Sequence, residues 1–192
     1  MLLALDVGNS NITVGVFDGR QLVRHWRLRT VHQQTSDEWG VLLRNLFDLE
    51  GLKFSAVDGI ILASVVPPLD GTLVEMSRHY FHREPMTVTS ETDTGLRILY
   101  DQPREVGADR IVNSVAALEK YGGPCIVVDL GTPITFDAVT ADREYLGGVI
   151  CPGINMSIQG LFSRTARLPM VSFCQPERVI GTNTVTSMQS GL

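Results

Sequence analysis

The opening segment of the chain alternates between short apolar runs and polar turns, a pattern typical of β-hairpins. Apolar residues 2–5 lead into a polar Asp6-x-Gly8 turn, and apolar positions resume over residues 12–17 and again near 22–28. Thr35 and Glu38 then match a capping box, and apolar positions at helical spacing follow. The pattern therefore predicts a three-stranded meander followed by an amphipathic helix.

The middle of the chain mixes strand and helix patterns. A continuous apolar run over residues 59–66 predicts a buried central strand. Helices are predicted over residues 69–81 and 107–121, with a short strand near 86–89 between them. This mixture favours the α/β class, with mixed sheets flanked by helices.

The opening pattern recurs in the second half. Apolar residues 125–128 end at an Asp129-x-Gly131 turn, strands are predicted over 134–140 and 145–150, and a helix is predicted near 155–165. We interpret this recurrence as an internal duplication, which predicts two domains, 1–115 and 116–192. The pattern at residues 188–192 is that of a helix that begins there, so we expect the second domain to be incomplete at its C-terminus.

Composition narrows the class of protein. The 192 residues are 44% hydrophobic, and the net charge of −5 argues against a general nucleic-acid-binding protein, which usually carries a basic face. No apolar run approaches the roughly 20 residues of a membrane span. The cysteines at 125, 151 and 174 lack metal-binding spacing, which predicts buried free thiols in a reducing cytoplasm.

The two Asp-x-Gly turns carry the first chemical signal. Glycine lets a phosphate approach the backbone closely, successive N–H groups form an anion-binding nest, and the Asp can hold a metal ion or its waters. A single turn of this kind is more often an ordinary hairpin. A pair, each at the end of an apolar strand, predicts a polyphosphate held from both sides and therefore phosphoryl transfer.

A second signal lies between these turns, where Gly107-Ala108-Asp109-Arg110 opens a predicted helix. Asp109 could accept the proton of an attacking hydroxyl, and Arg110 could bind a carboxylate. Taken alone, this segment favours the alternative, a helix-terminal Asp that faces the dipole and an Arg beside it in solvent. The three arginines at 24, 27 and 29 lie close together on one strand and are interpreted as a solvated face.

These motifs, together with Ser64-Val65-Val66-Pro67 and the glycine-rich segment 147–153, resemble the type III pantothenate kinases. The resemblance spans the chain in the family's order. It implies duplicated actin-like (ribonuclease H-like) domains of the sugar kinase and Hsp70 ATPase superfamily. It also implies transfer of the γ-phosphate of ATP to the primary hydroxyl of pantothenate, which gives 4'-phosphopantothenate in the first step of coenzyme A biosynthesis.

The resemblance further implies roles for individual residues. Asp109 would be the general base, Asp6 would lie near a divalent ion such as Mg²⁺, and Asp129 would bind a monovalent cation, K⁺ or NH₄⁺. The implied ATP-binding residues are Asp6, Val7, Gly8, Asn9, Ser10, Asn11, Ile12, Thr13 and Thr132. The implied pantothenate-binding residues are Tyr100, Gly107, Ala108, Asp109, Arg110 and Thr184. The family forms homodimers with the acceptor pocket at the interface.

Two positions depart from the family's pattern: Ser10 stands where Thr is frequent, and Pro133 stands where a small residue is usual. Because Pro lacks an N–H, Pro133 predicts a weaker phosphate nest at the second turn. Two other hypotheses remain open at this stage. One is a non-catalytic transcriptional accessory protein on the same fold, against which the acidic charge and the intact Asp6, Asp109 and Asp129 argue. The other is a small-molecule kinase of the superfamily with a different acceptor.

Overall fold

The computed structural model describes residues 1–192, which form two compact units. The first unit contains Met1–Cys125 and Val139–Leu146, and the second contains Ile126–Ala138 and Gly147–Leu192. The predicted α/β class, with mixed sheets flanked by helices, is confirmed. The duplication boundary near residue 115 stays a prediction.

The first sheet has the strand order β3-β2-β1-β4-β5. Its strands are β1 (Leu2–Val7), β2 (Asn11–Asp18), β3 (Gln21–Arg29), β4 (Gly59–Ser64) and β5 (Met86–Thr87). The first three are antiparallel, as the meander pattern predicts, whereas β4 runs parallel to β1 and β5 runs parallel to β4. The register places Asp6 opposite Thr13, and Thr13 opposite Arg27.

Two helices, α1 (Ser36–Leu49) and α2 (Pro67–Phe81), share one apolar core with this sheet. The capping box of α1 is confirmed, because the Glu38 N–H donates to the Thr35 hydroxyl at 3.3 Å and the Thr35 N–H donates to the Glu38 carboxylate at 2.7 Å. Helix α2 begins at Pro67, two residues before the predicted start. Proline suits the first turn of a helix, where its missing N–H has no partner to lose.

The first unit also contains α3 (Ala108–Tyr121), whose Ile111 is fully buried and which contacts β4. Upstream of α3 lies a strand that the sequence did not predict, β6 (Arg97–Ile98), which pairs in parallel with β9 (Glu144–Pro152). A strand of two residues is too short to show an alternating pattern, so the sequence carries no signal for it.

The second sheet has the strand order β6-β9-β8-β7, where β7 is Cys125–Leu130 and β8 is Pro133–Val139. Two helices follow, α4 (Ile154–Arg164) and α5 (Thr184–Gly191), with a small core of Ile158, Val171 and Met188. No helix of the chain has both the length and the apolar character that crossing a bilayer requires.

Burial in this part of the chain is lower than its apolar residues suggest. In strand β7, Ile126, Val128 and Leu130 are 69%, 48% and 74% exposed. An apolar run shows that a strand can be buried, but the elements packed on it decide whether it is. The expectation that the three cysteines are buried is wrong: all are free thiols, but Cys125 and Cys151 are half-buried, and Cys174, in the irregular stretch between α4 and α5, is exposed.

Candidate active site

The first turn, residues 6–11, is a closed hairpin between β1 and β2. The Gly8 N–H donates to the Asn11 carbonyl at 3.0 Å, and a Cβ at Gly8 would lie 3.0 Å from that same oxygen. The side chains of Asp6, Asn9, Ser10 and Thr13 are exposed, whereas Val7 and Ile12 are buried in the core. Val7 and Ile12 are among the residues that the family resemblance assigns to ATP. Because their side chains are buried, they can offer a ligand only main-chain atoms.

Thr30, which sequence reasoning did not single out, holds this turn in shape. Its hydroxyl donates to the Gly8 carbonyl at 2.6 Å, and its backbone N–H donates to the Ser10 carbonyl at 3.1 Å. Thr30 is itself buried. The sequence could have indicated this role only through the position of Thr30, a hydroxyl residue directly after β3, which pairs with β2 of the hairpin.

The acceptor turn, residues 107–110, packs against the strand ends that carry the first turn. The Val65 N–H donates to the Val7 carbonyl at 3.0 Å, which extends the pairing with β1 one residue past the end of β4. A Cβ added at Gly107 would lie 3.2 Å from Cγ1 of Val65. The first unit therefore brings the Asp6 turn and the Asp109 turn to the same edge of one sheet.

Gly107 also gives the Asp109 carboxylate its place. A Cβ at Gly107 would overlap the Asp109 carboxylate oxygen, so any larger residue there would displace it. That oxygen accepts a hydrogen bond from the Arg110 N–H at 2.7 Å. Asp109 lies in the first turn of α3, where the helix dipole favours a negative charge.

Arg110 does not lie in solvent, so the solvent alternative considered for it is wrong. It is 7% exposed, and its guanidinium carbon lies 5.6 Å from the centroid of the Tyr145 ring. The Tyr145 ring is fully buried and lies 6.3 Å from the ring of Tyr100. Tyr145 thus contacts two residues assigned to acceptor binding, although its position in a strand gave no sequence signal of this.

A cavity of about 480 Å³ opens beside the acceptor turn. Its lining includes Gly107, Ala108 and the hydroxyl residues Ser64, Thr89 and Ser90. Arg104 and Glu91, which form an ion pair at 2.6 Å, also line it. Its volume suits a small molecule, and its polar lining suits one with several hydrogen-bonding groups.

The second turn, residues 129–132, belongs to the second unit. The Gly131 N–H donates to the Pro133 carbonyl at 3.0 Å, and the Gly153 N–H donates to the Thr132 carbonyl at 3.1 Å. Gly153 is buried against this turn, and a Cβ there would overlap the carbonyl oxygens of Gly131 and Thr132. Asp129 is half-buried and Thr132 is exposed.

Thr184, the last of the assigned residues, is the first residue of α5 in the second unit. Asn183 caps this helix, because its side-chain oxygen accepts from the Thr186 N–H at 2.9 Å. Thr184 lines a cavity of about 670 Å³ together with Gly181, Ser187 and Leu168. Tyr100 and the acceptor turn belong to the first unit, so the structure does not assemble all the assigned acceptor residues within one unit.

Comparison with known proteins gives a consistent result. A family model for type III pantothenate kinases matches residues 2–192. A type III pantothenate kinase of Solibacter usitatus is 64% identical over the whole chain, which covers 74% of that protein, and one of Koribacter versatilis is 55% identical, with 73% covered.

Among solved structures, a conserved Campylobacter jejuni protein described as a Baf family transcriptional activator matches with a TM-score of 0.54. It is 21% identical, and the match covers 99% of this chain and 73% of that one. At this identity the likeness shows a common fold alone and does not favour a role in transcription. The match to the family model, the two relatives and the order of the motifs show that the chain belongs to the type III pantothenate kinase family.

Proposed function

We propose that this chain phosphorylates pantothenate with ATP, giving 4'-phosphopantothenate and ADP in the first step of coenzyme A biosynthesis. The observation that carries the proposal is the match of residues 2–192 to the type III pantothenate kinase family. The packing of the acceptor turn beside the first turn supports it, because phosphoryl transfer requires the acceptor hydroxyl and the nucleotide phosphates at one place.

In the proposed reaction Asp109 is the general base. Its carboxylate takes the proton of the primary hydroxyl of pantothenate as the hydroxyl oxygen bonds to the γ-phosphorus, and the bond from that phosphorus to the bridging oxygen of ADP breaks. Gly107 leaves the space that this carboxylate occupies. The protein contributes mainly position and charge, which is the usual requirement for phosphoryl transfer.

The nucleotide phosphates would lie at the first turn, with backbone N–H groups of residues 9–11 as donors and Thr132 of the second turn as a further contact. The bonds from Thr30 keep the first turn in one conformation before the nucleotide arrives. Such preorganisation lowers the entropy lost on binding.

We assign the divalent ion to Asp6 and the monovalent ion, K⁺ or NH₄⁺, to Asp129. No three His, Cys, Asp or Glu side chains cluster to form a metal site on their own. The donor set still fits Mg²⁺, which commonly binds through one or two carboxylates with phosphates and waters as its other ligands. The two cations would neutralise phosphate charge in a protein whose net charge is −5.

For pantothenate, we assign the cavity beside the acceptor turn, together with Tyr100, Arg110 and Thr184. Arg110 would pair with the carboxylate of pantothenate, and its contact with the buried Tyr145 ring supports a fixed position for the guanidinium. We also propose a homodimer in the cytoplasm and two duplicated domains, 1–115 and 116–192, on the strength of the family resemblance and the repeated pattern.

The test is an assay of ADP release with pantothenate, ATP, Mg²⁺ and K⁺. Asp109→Asn should lower kcat at least about 100-fold, because the amide cannot accept the proton, while the KM for ATP changes little. Asp142→Asn, an exposed carboxylate in the turn between β8 and β9, is the control and should keep the original rate. Turnover by Asp109→Asn at the original rate would refute the assigned base, and preference for a sugar over pantothenate would refute the acceptor.

A further inference from the structure

The arginines of β3 do not form one face of the sheet. Arg27 lies opposite Thr13 on β2, and Thr13 lies opposite Asp6 on β1. Residues directly opposite each other in an antiparallel pair project from the same face. Asp6, Thr13 and Arg27 therefore form one row across three strands, and all three are exposed.

Arg29 extends the same side of the sheet toward the first turn. It lies opposite Asn11, the last residue of that turn, and is two residues from Arg27, so it projects from the same face. Its neighbour Thr30 is the residue that bonds to the carbonyls of Gly8 and Ser10. The two exposed arginines thus flank the open side of the hairpin that carries the first turn.

Arg24 belongs to the other face. It lies opposite Val16, whose side chain is part of the core between the sheet and the helices. Its guanidinium binds the carboxylate of Glu50, at the end of α1. Arg24 therefore has a carboxylate partner on the helix side, whereas Arg27 and Arg29 project from the side that carries Asp6.

The distance is compatible with a common ligand. Neighbouring strands lie about 4.8 Å apart, so the Cα of Arg27 is about 10 Å from the Cα of Asp6, with Thr13 between them. A triphosphate held at the first turn would lie over this interval. Residues 6–13 contain no Lys or Arg, so the turn itself offers a polyphosphate only neutral donors and a carboxylate.

We propose that Arg27, with Arg29 beside it, binds the polyphosphate of the nucleotide and supplies the positive charge that the first turn lacks. This inference rests on the proposed function, since it assumes that a nucleotide lies at the first turn. A guanidinium matches phosphate oxygens in a bidentate geometry, which makes arginine suited to this role. Neither residue lies among those that the family resemblance assigns to the nucleotide.

The test compares Arg27→Gln, Arg29→Gln and the matched control Arg24→Gln, with binding of ATP, ADP and adenosine measured by calorimetry. Arg27→Gln should weaken ATP and ADP binding about 10-fold or more, as expected for a lost charge-assisted contact, and leave adenosine binding unchanged. Arg29→Gln should show a smaller loss of the same kind. Arg24→Gln should bind all three like the original protein.

Kinetics add a second measurement. Arg27→Gln should raise the KM for ATP about 10-fold and leave the KM for pantothenate unchanged. Arg27→Lys, which keeps the charge and loses the bidentate geometry, should fall between the original protein and Arg27→Gln, and it serves as the test if Arg27→Gln does not fold.

Equal ATP affinity in Arg27→Gln and the original protein would overturn the inference, as would an equal loss for adenosine, which would indicate a structural effect. If the unaltered chain phosphorylates pantothenate and Arg27→Gln behaves like Arg24→Gln, the inference fails while the proposed function stands. If the unaltered chain neither binds ATP nor phosphorylates pantothenate, the proposed function itself fails.

Discussion

Thr30 lies outside the first turn and helps to hold it in shape. Thr30 bonds to two carbonyls of the turn, at 2.6 Å to Gly8 and 3.1 Å to Ser10, and does so from a buried position. If the Thr30 hydroxyl is removed, the Gly8 carbonyl stays shielded from water without a hydrogen-bond donor, which is unfavourable. The turn would then relax toward another conformation. Thr30 is therefore a positioning residue for the proposed nucleotide site.

We expect Thr30→Val to lower kcat/KM for ATP about 10-fold, because valine keeps the shape of threonine but cannot donate to the Gly8 carbonyl. The free energy of unfolding should fall by about 1–3 kcal/mol. Thr30→Ser, which keeps the hydroxyl, should lie close to the original protein in both measurements. Steady-state kinetics and urea unfolding check this, and equal behaviour of the valine and serine variants would contradict it.

At the scale of residues, the sequence was informative where a motif carries its own chemistry. Asp6 and Asp109 stand in short patterns that a reader can recognise without a structure. Thr30 and Tyr145 act through partners that lie far from them in the chain, and those partners are set by strand register and tertiary packing. The burial of Arg110 is of the same kind, because no local pattern distinguishes a buried arginine from a solvated one.

At the scale of elements, the contact between α1 and α2 depends on a missing side chain. The ring of Tyr80 lies directly over Gly40, where a Cβ would overlap it. The Tyr80 hydroxyl donates to the Asp37 carboxylate at 2.8 Å, and this hydrogen bond raises the pKa of Tyr80 above its usual range. Gly40 in the middle of a helix is unfavourable for the backbone, and the close approach of the ring explains its presence.

We expect Gly40→Ala to destabilise the fold by about 1–3 kcal/mol, because the added methyl forces the Tyr80 ring out of its position. Gly71→Ala is the matched control: Gly71 lies inside α2 with open space around it, so alanine there should stabilise the helix by about 0.5–1 kcal/mol. Urea unfolding midpoints of the two variants should move in opposite directions. A shift in the same direction would contradict the steric explanation.

The elements themselves were largely predictable from periodicity. The meander, the central strand and helices α1 to α4 lie within a few residues of the positions that the pattern predicts. Strand β6 could not be predicted, because it has only two residues and is defined by its hydrogen bonds to β9. The exposure of one face of β7 could not be predicted, because every residue near its start is apolar and the elements that pack against each face decide which residues are covered.

At the scale of the whole molecule, the repeated Asp-x-Gly turns lie in different compact units and are supported in different ways. The first turn receives two bonds from Thr30, and the second receives one from the Gly153 N–H. In the second turn Pro133 contributes a carbonyl acceptor and no N–H. A repeated sequence pattern thus gives two turns that are not equivalent, which agrees with proposing different cations for Asp6 and Asp129.

We expect activity to fall about 10-fold or more when K⁺ is replaced by tetramethylammonium, and Asp129→Asn to lose this response to K⁺ because a neutral amide binds the cation weakly. Asp18→Asn, at the exposed last residue of β2, should keep the full response. ADP release measured against K⁺ concentration checks this prediction. A K⁺ response in Asp129→Asn as large as in the original protein would place the monovalent cation elsewhere.

The contact of Gly153 with the second turn has a genetic consequence. Every missense change of a glycine codon adds at least a Cβ, and at position 153 that first atom already overlaps the carbonyl oxygens of Gly131 and Thr132. The size or charge of the incoming side chain therefore matters little there. Codon 160, only seven codons downstream and also for a glycine, specifies a position with open space around it. The two glycine codons therefore differ in the substitutions they tolerate, for a reason that lies in a turn more than twenty residues upstream.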